Sequence, residues 1–305
     1  MLSHLKRRFG VLAAVAVMAA LVPTIASSPV SAAPATTAIV VVGSDATYAA
    51  CPTGSAAAAG FTDTTSTDVD CIAMYGITQG TTATTYSPTD SVTRWQMALY
   101  LTRALAPAGG TLGAGVDQGF TDISGKSDAI QLAINQIGEL GISNGKTATT
   151  FAPDDNVTRE EMAMFIERWL ENVKAGPGGQ SDADNDASLT AAQVTYVNSD
   201  CTVTVACTGK YNYTDVDAGS VTVEGANAIK ELYDMGIHDG VSATTFNPSG
   251  DMTRAAMATF MTTALDQTNA RPEGLWLQAS KYTNAGAHTP TLSVSDRDRS
   301  EERRV

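Results

Sequence analysis

Histidine is scarce in this chain of 305 residues. His4 stands among the first ten residues, so His238 and His288 are the two that remain for the rest of the chain. So few histidines do not supply a zinc site, and no Ser-His-Asp or Cys-His set stands out. We therefore predict a protein that is not an enzyme and that needs no cofactor and no metal.

Long apolar runs are equally scarce. One run covers residues 11–22, with three basic residues before it at 6–8 and small residues after it up to Ala33. This pattern is typical of a secretory signal peptide, here residues 1–33. The run is short for a membrane span and no second run approaches its length. We predict a secreted chain without a membrane span after processing.

Basic residues are fewer than acidic ones. The chain has 19 Lys and Arg against 32 Asp and Glu, a net charge of −13, and loss of the three basic residues in 1–33 would make it −16. Such a field repels nucleic acid, because phosphate contacts need Lys and Arg patches. We exclude nucleic acid as a partner and expect any anionic ligand to be bound locally by a few arginines.

The four cysteines are Cys51, Cys71, Cys201 and Cys207. An even number in a secreted chain favours disulfides over a metal or redox site. Four cysteines allow three pairings, and proximity along the chain favours Cys51–Cys71 with Cys201–Cys207. Free buried thiols are the alternative.

A unit repeated three times dominates the sequence. The stretches GITQGTTATTYSPTDSVTRWQMA, GISNGKTATTFAPDDNVTREEMA and GIHDGVSATTFNPSGDMTRAAMA start at Gly76, Gly141 and Gly236. In each copy 18 positions separate that glycine from an arginine, and an aromatic-Thr-Asp triplet comes earlier. We place the repeats at 60–106, 119–171 and 211–266.

Each copy reads as helix, loop and helix, which predicts an all-α fold. Copy two has apolar residues at i, i+3, i+4 and i+7 from Ile130, and Gly-Ile is a typical helix stop. The first helix of copy one has a shorter lead-in, so we expect it to be truncated and braced by Cys51–Cys71. The second helices have threonine N-caps, with capping boxes completed by Gln96 and Glu161 but not by Ala256.

An arginine follows each N-cap threonine, where a cation is unfavourable by roughly 0.3–1 kcal/mol. These are Arg94, Arg159 and Arg254. In one interpretation they bind a carboxylate together with helix N–H groups and the loop glycines Gly80, Gly145 and Gly240. In the other, each arginine pairs with a carboxylate of its own unit, for example Asp63, Asp122 or Asp215. The sequence leaves both open.

The repeat resembles the S-layer homology (SLH) domain family. Copy two matches the family pattern at Ala133-Ile134, Ile137, Gly141-Ile142, Gly145, Phe151, Pro153, Thr158-Arg159 and Glu161. Copies one and three match well in the loop and the Thr-Arg pair and less well in the first helix. Gln96 and Ala256 depart from the family's glutamate.

The resemblance implies a pseudo-threefold module that holds surface proteins non-covalently on bacterial cell walls. It implies binding of an acidic secondary wall polysaccharide, often pyruvylated, at Arg94, Arg159 and Arg254 with Gly80, Gly145 and Gly240. We therefore predict a non-catalytic anchoring module at the cell wall or cell surface. The alternatives are a self-associating surface-layer protein and the anchoring fragment of a longer extracellular enzyme.

Two segments lie outside the repeats. Residues 172–210 are interpreted as an acidic linker with an insertion closed by a disulfide. There Asp182, Asp184 and Asp186 are spaced like calcium ligands, but Ala187 and Gln193 replace the turn glycine and the bidentate glutamate, so a solvated linker is favoured. Residues 267–305 are interpreted as an incomplete immunoglobulin-like start, with one or two strands near LWLQAS and TLSVS, or as a disordered tail.

Overall fold

A computed structural model describes residues 49–176, 213–217, 219–238 and 240–272, and the backbone of 46–47, 275–279, 281–282 and 292–296. The predicted leader 1–33, the calcium candidates Asp182, Asp184 and Asp186, and the Cys201–Cys207 pair lie outside these residues. The acidic linker is described only over 172–176, and the C-terminal segment only in part.

Six helices dominate the described part of the chain, which confirms the all-α prediction. They are α1 (Thr67–Met74), α2 (Arg94–Leu105), α3 (Asp128–Glu139), α4 (Arg159–Leu170), α5 (Val223–Asp234) and α6 (Arg254–Gln267). Copy one contributes α1 and α2, copy two α3 and α4, and copy three α5 and α6. Each pair is joined by a loop rich in glycine and threonine, as the repeat pattern predicts.

Four short strands accompany the helices. β1 (Ala46–Thr47) pairs antiparallel with β3 (Lys281–Tyr282), and β2 (Leu275–Ala279) pairs antiparallel with β4 (Leu292–Asp296). Strands β2 and β4 are the two that apolar alternation predicts after the third copy. An immunoglobulin-like continuation stays a prediction.

The first helix of each copy ends in the same turn. In copy one Gly76 has φ +69°, the Ile77 N–H donates to the Ile72 carbonyl at 2.8 Å, and the Gly76 N–H donates to the Ala73 carbonyl. Copies two and three repeat both bonds, which is the Schellman arrangement expected from Gly-Ile. Helix α1 has 8 residues where α3 and α5 have 12. The Cys51–Cys71 disulfide reaches it as predicted.

The residue before each N-cap threonine belongs to a closed ring of backbone hydrogen bonds. The Val92 N–H donates to the Met252 carbonyl, Met252 donates to Val157, and Val157 donates to Val92, each at 2.8 Å. All three side chains are fully buried. This ring joins the three copies at a pseudo-threefold axis, where every donor and acceptor of the three residues is used.

Helices pack mainly between copies. Helix α2 packs on α3, α4 on α5, and α6 on α1, so the second helix of each copy pairs with the first helix of the next. The contact between α2 and α4 includes Trp169, whose indole N–H donates to the Leu101 carbonyl. The loop aromatics Tyr86, Phe151 and Phe246 are fully buried, as predicted for residues that fill the core. The repeat is therefore the unit that recurs in the sequence, but each packed pair of helices combines two neighbouring copies.

In the part of the chain that the structure describes, no helix is both long enough and apolar enough to cross a bilayer.

Buried His238 makes stability depend on pH. Its Nε2 contacts the Ile229 carbonyl and its Nδ1 accepts from the Gly240 N–H, so the ring is neutral. Burial lowers the pKa of His238 from its ordinary 6.5 to about 3. The unfolded chain takes up a proton below about pH 6.5 and the folded chain does not. This contribution to stability is therefore complete above pH 6.5 and is lost as the pH falls toward 3.

We expect His238→Thr to flatten this dependence, because copy one has Thr78 at the same position. As the pH is lowered below 6.5, the free energy of unfolding of the unmodified protein should decrease faster than that of the variant. The difference between the two slopes should be up to about 1.4 kcal/mol per pH unit. Urea unfolding at pH 6.5, 5.5 and 4.5 measures both slopes. A Thr78→Ser variant serves as the control, and equal slopes for His238→Thr and this control would contradict the assignment.

Candidate functional site

The three repeated arginines cross from one copy to the next. Each is the first residue of its helix, and its Nε donates to the backbone carbonyl of the buried loop aromatic of another copy. Arg94 reaches Phe151 at 2.7 Å, Arg159 reaches Phe246 at 2.6 Å and Arg254 reaches Tyr86 at 2.6 Å. Copy one thus contacts copy two, copy two contacts copy three, and copy three returns to copy one.

The guanidinium groups also lie on the rings of those aromatics. The distances from Cζ to the ring centroid are 4.8 Å for Arg94, 4.7 Å for Arg159 and 4.6 Å for Arg254. Exposure of these arginines is only 3%, 7% and 3%. Burial lowers the pKa of Arg94 and Arg159. Glu161 is the main group that opposes this shift at Arg94. Tyr213, followed by Asp215, opposes it at Arg159. The three arginines, which the sequence predicts as site residues, therefore also stabilise the contacts between neighbouring copies.

The first turn of each second helix is closed by the neighbouring loop. The Arg94 N–H donates to the Asp155 carbonyl and the Trp95 N–H donates to the Pro153 carbonyl, at 2.9 and 3.0 Å. Equivalent bonds occur at the starts of α4 and α6. These amides are not available to an anion, so the expectation that helix N–H groups would bind one is wrong for the first two N–H groups of each of these helices. Carbonyls of the next copy satisfy them instead.

The triplet aspartates shape their own loops. Asp63 accepts the N–H groups of Tyr86 and Ser87, at 2.8 and 2.7 Å, and Asp122 and Asp215 make the equivalent pairs. The hydrogen bond from the Tyr86 N–H is the main cause that lowers the pKa of Asp63, and Arg254 adds to it. The interpretation that each arginine pairs with an aspartate of its own unit is therefore wrong. The nearby arginine comes from another copy.

The loop glycines make room for an aromatic ring. Gly80 has φ +76°, and a Cβ there would lie 2.4 Å from Cε1 of Phe61 and 2.6 Å from the Thr85 carbonyl. Its N–H donates to Thr78 Oγ1 at 3.3 Å. Gly145 and Gly240 share this conformation and hydrogen-bond pattern. Glycine at these positions is required by the loop fold, whether or not a ligand binds nearby.

One groove collects several of these groups. It has a volume of about 170 Å³ and lies between copy one and copy three. Its lining is Thr78, Gln79, Gly80, Trp95, Gln96, Leu99, Tyr100 and Arg103 of copy one with Arg254 of copy three. We call this the first groove. It joins two predicted site residues, Gly80 and Arg254, but pairs the glycine of one copy with the arginine of another.

Sequence reasoning missed Trp95, Tyr100 and Arg103. Arg103 had a signal, since Arg168 stands at the same position of copy two and both donate to the carbonyl of the isoleucine after the helix stop. Trp95 had none, because copies two and three have Glu160 and Ala255 there.

The equivalent positions of the other copies differ in charge. In the second groove, made of Arg94 with the Gly145 loop and α4, Glu161 Oε1 contacts Arg94 Nη1 at 3.1 Å and Lys146 Nζ at 2.5 Å. In the third groove, made of Arg159 with the Gly240 loop and α6, Thr263 takes the place of Arg103. Asp239 of that loop lies outside the described residues.

Among the residues that the structure describes, no group of three or more His, Cys, Asp or Glu side chains could hold a metal ion.

We expect Arg159→Lys to lower the free energy of unfolding by about 1–3 kcal/mol, because lysine keeps the charge but loses the Nε donor to Phe246 and the flat face over its ring. Urea unfolding gives the value. The matched control is Arg103→Lys, where lysine Nζ can replace the hydrogen bond to the Ile77 carbonyl, and a change below about 0.5 kcal/mol is expected. Equal losses in the two variants would contradict the structural role of Arg159.

Comparison with known proteins supports the repeat assignment. The family model described as the S-layer homology domain matches residues 119–163 and 212–258. The chain is also similar to a protein named endoglucanase from Bacillus sp. (strain KSM-635), with 31% identity over 186 residues, 61% of this chain. The match covers 16% of that relative's length. Copies two and three thus each contain a segment that matches the S-layer homology domain.

Proposed function

We propose that this chain anchors a protein non-covalently to a bacterial cell wall by binding an acidic wall polysaccharide, with pyruvylated sugars as the charged groups. The observation that carries the proposal is the S-layer homology match in two of the three copies. Copy one has the same helix stop, loop and arginine contact, which supports its inclusion as a third copy. We place the protein at the cell surface.

Electrostatics supports a small and local site. A chain with net charge −13 repels polyanions over most of its surface. Binding of an acidic sugar then requires a few guanidinium groups that are partly shielded from water, where charge-assisted hydrogen bonds to a carboxylate are strongest. Arg94, Arg159 and Arg254 with Gly80, Gly145 and Gly240 are the proposed polysaccharide-binding residues. Their arrangement across copies means that each groove needs two copies.

A second candidate function is the anchoring part of a longer extracellular enzyme. The endoglucanase relative favours it, because the similarity covers only 16% of that protein and leaves most of it for other activities. In such a protein the present chain would supply attachment to the wall, and catalysis would reside elsewhere. In both candidates the three copies attach the protein to the wall polysaccharide.

We expect the chain to sediment with protein-stripped cell walls and to stay in solution with walls from which the acidic polysaccharide has been extracted. An N-acetylhexosamine with a pyruvate ketal should compete for the walls, and the same sugar without the ketal should compete at least tenfold less well. The arginines are not replaced in this test, because alanine at those positions would disturb the core.

Two results would contradict the proposal. Equal sedimentation with intact and extracted walls would exclude the polysaccharide as the ligand. Ordered assembly of the chain without any wall material, together with no increase in sedimentation when cell walls are added, would favour the self-associating surface-layer alternative. Analytical ultracentrifugation of the chain alone provides the control for such assembly.

A further inference from the structure

We propose that the three grooves are not equivalent and that the first groove alone binds the charged sugar. This inference rests on the proposed function and narrows its six proposed binding residues to the two that line the first groove, Gly80 and Arg254. It also adds the other side chains that make the contact. The ligand class is a single sugar residue that carries one carboxylate next to an apolar ring face.

The strongest observation concerns the free end of Arg254. Its Nε donates to the Tyr86 carbonyl and its Nη1 donates to the Tyr100 hydroxyl at 2.5 Å. Its Nη2 is buried and has no hydrogen-bond partner. Arg254 lines the first groove, and a carboxylate oxygen bound there is the acceptor that we assign to this donor. A buried guanidinium N–H without an acceptor is unfavourable, and a bound carboxylate would relieve it.

A second donor stands beside it. The Tyr100 hydroxyl accepts from Arg254, so its own hydrogen remains for a ligand oxygen. The equivalent residues, Phe165 and Phe260, have no hydroxyl. Arg103 adds a second guanidinium at the wall of the same groove. Within the described residues, no carboxylate forms an ion pair with Arg254 or Arg103.

Trp95 gives the first groove its apolar surface. The indole is half-buried and lines the groove together with Gly80 and Arg254. Aromatic faces pack well on the C–H face of a sugar ring, while its hydroxyls and carboxylate reach polar groups at the edge. The volume of about 170 Å³ is small beside the roughly 300–1,000 Å³ of drug-sized ligand pockets. It fits one sugar residue better than a length of polymer.

The second groove already contains a carboxylate. Glu161 contacts both Arg94 and Lys146 and accepts the Thr158 N–H through Oε2. Arg168, the counterpart of Arg103, forms an ion pair with Glu224. The cations of this groove are therefore neutralised by the protein itself. An incoming carboxylate would have to displace these partners, whereas Gln96 at the position of Glu161 leaves the first groove without that charge.

The third groove lacks the other elements. Ala255 and Thr263 stand where the first groove has Trp95 and Arg103. Arg159 remains as the cation of this groove among the described residues. A single guanidinium without an aromatic face gives a weaker site than two guanidinium groups with an indole.

The experiment transfers copy-three residues into the first groove. Isothermal titration of the secreted chain with the pyruvylated N-acetylhexosamine should give a stoichiometry near one. The double variant Trp95→Ala, Arg103→Thr should bind at least tenfold more weakly. The fold should survive, because the third copy tolerates both residues at these positions. Thermal unfolding checks this.

The matched control is Arg168→Thr in the second groove, which should leave the affinity within about twofold. Gln96→Glu provides an independent second variant, since it places a carboxylate beside Arg254 as Glu161 lies beside Arg94, and it should also weaken binding. A stoichiometry of two or three, or unchanged affinity in both first-groove variants, would overturn the inference while the anchoring function stands. Absence of binding to both walls and sugar would instead reject the proposed function.

Discussion

The guanidinium group inserted from one copy into the loop of the next is the contact on which this molecule depends. It gives a hydrogen bond to the carbonyl of a buried aromatic and covers the face of the same ring, at each of three interfaces. Because arginine keeps its charge in nearly all protein environments, burial at 3–7% exposure requires acceptors and π faces close by. The loop fold supplies both, and the aspartate of each aromatic-Thr-Asp triplet holds that loop in place.

Closure follows from the cyclic order of these contacts. The second helix of each copy packs on the first helix of the next, and the last helix packs on the first. The backbone ring of Val92, Val157 and Met252 has the same cyclic order. Each interface therefore supports the other two, and a chain with two copies would leave carbonyls of one loop and amides of one helix without partners. Three copies are the smallest number that satisfies them in this geometry.

A symmetric scaffold leaves freedom at the groove walls. The arginine, glycine and aromatic positions are fixed by packing. The residues at 95, 96, 100 and 103 line the first groove, and none of these four positions holds the same residue in all three copies. An ion pair with Glu161 in one groove and, among the described residues, guanidinium groups without an ion pair in another can therefore coexist on one backbone. Affinity and specificity for a sugar would depend on these wall positions, while the three arginines hold neighbouring copies together.

The sequence by itself determined the repeats, the ends of the helices and the residues that fill the core, because helix stops, N-caps and apolar spacing are local signals that need no knowledge of the neighbour. Proximity along the chain favoured the Cys51–Cys71 pair, and the structure selected it among the possible pairings. The tertiary structure alone decided that Arg94 enters copy two and that Gly80 lies beside Arg254. Spacing within one repeat is identical whether a side chain contacts its own unit or the next one. For the same reason, only the structure revealed that carbonyls of the next loop occupy the helix amides.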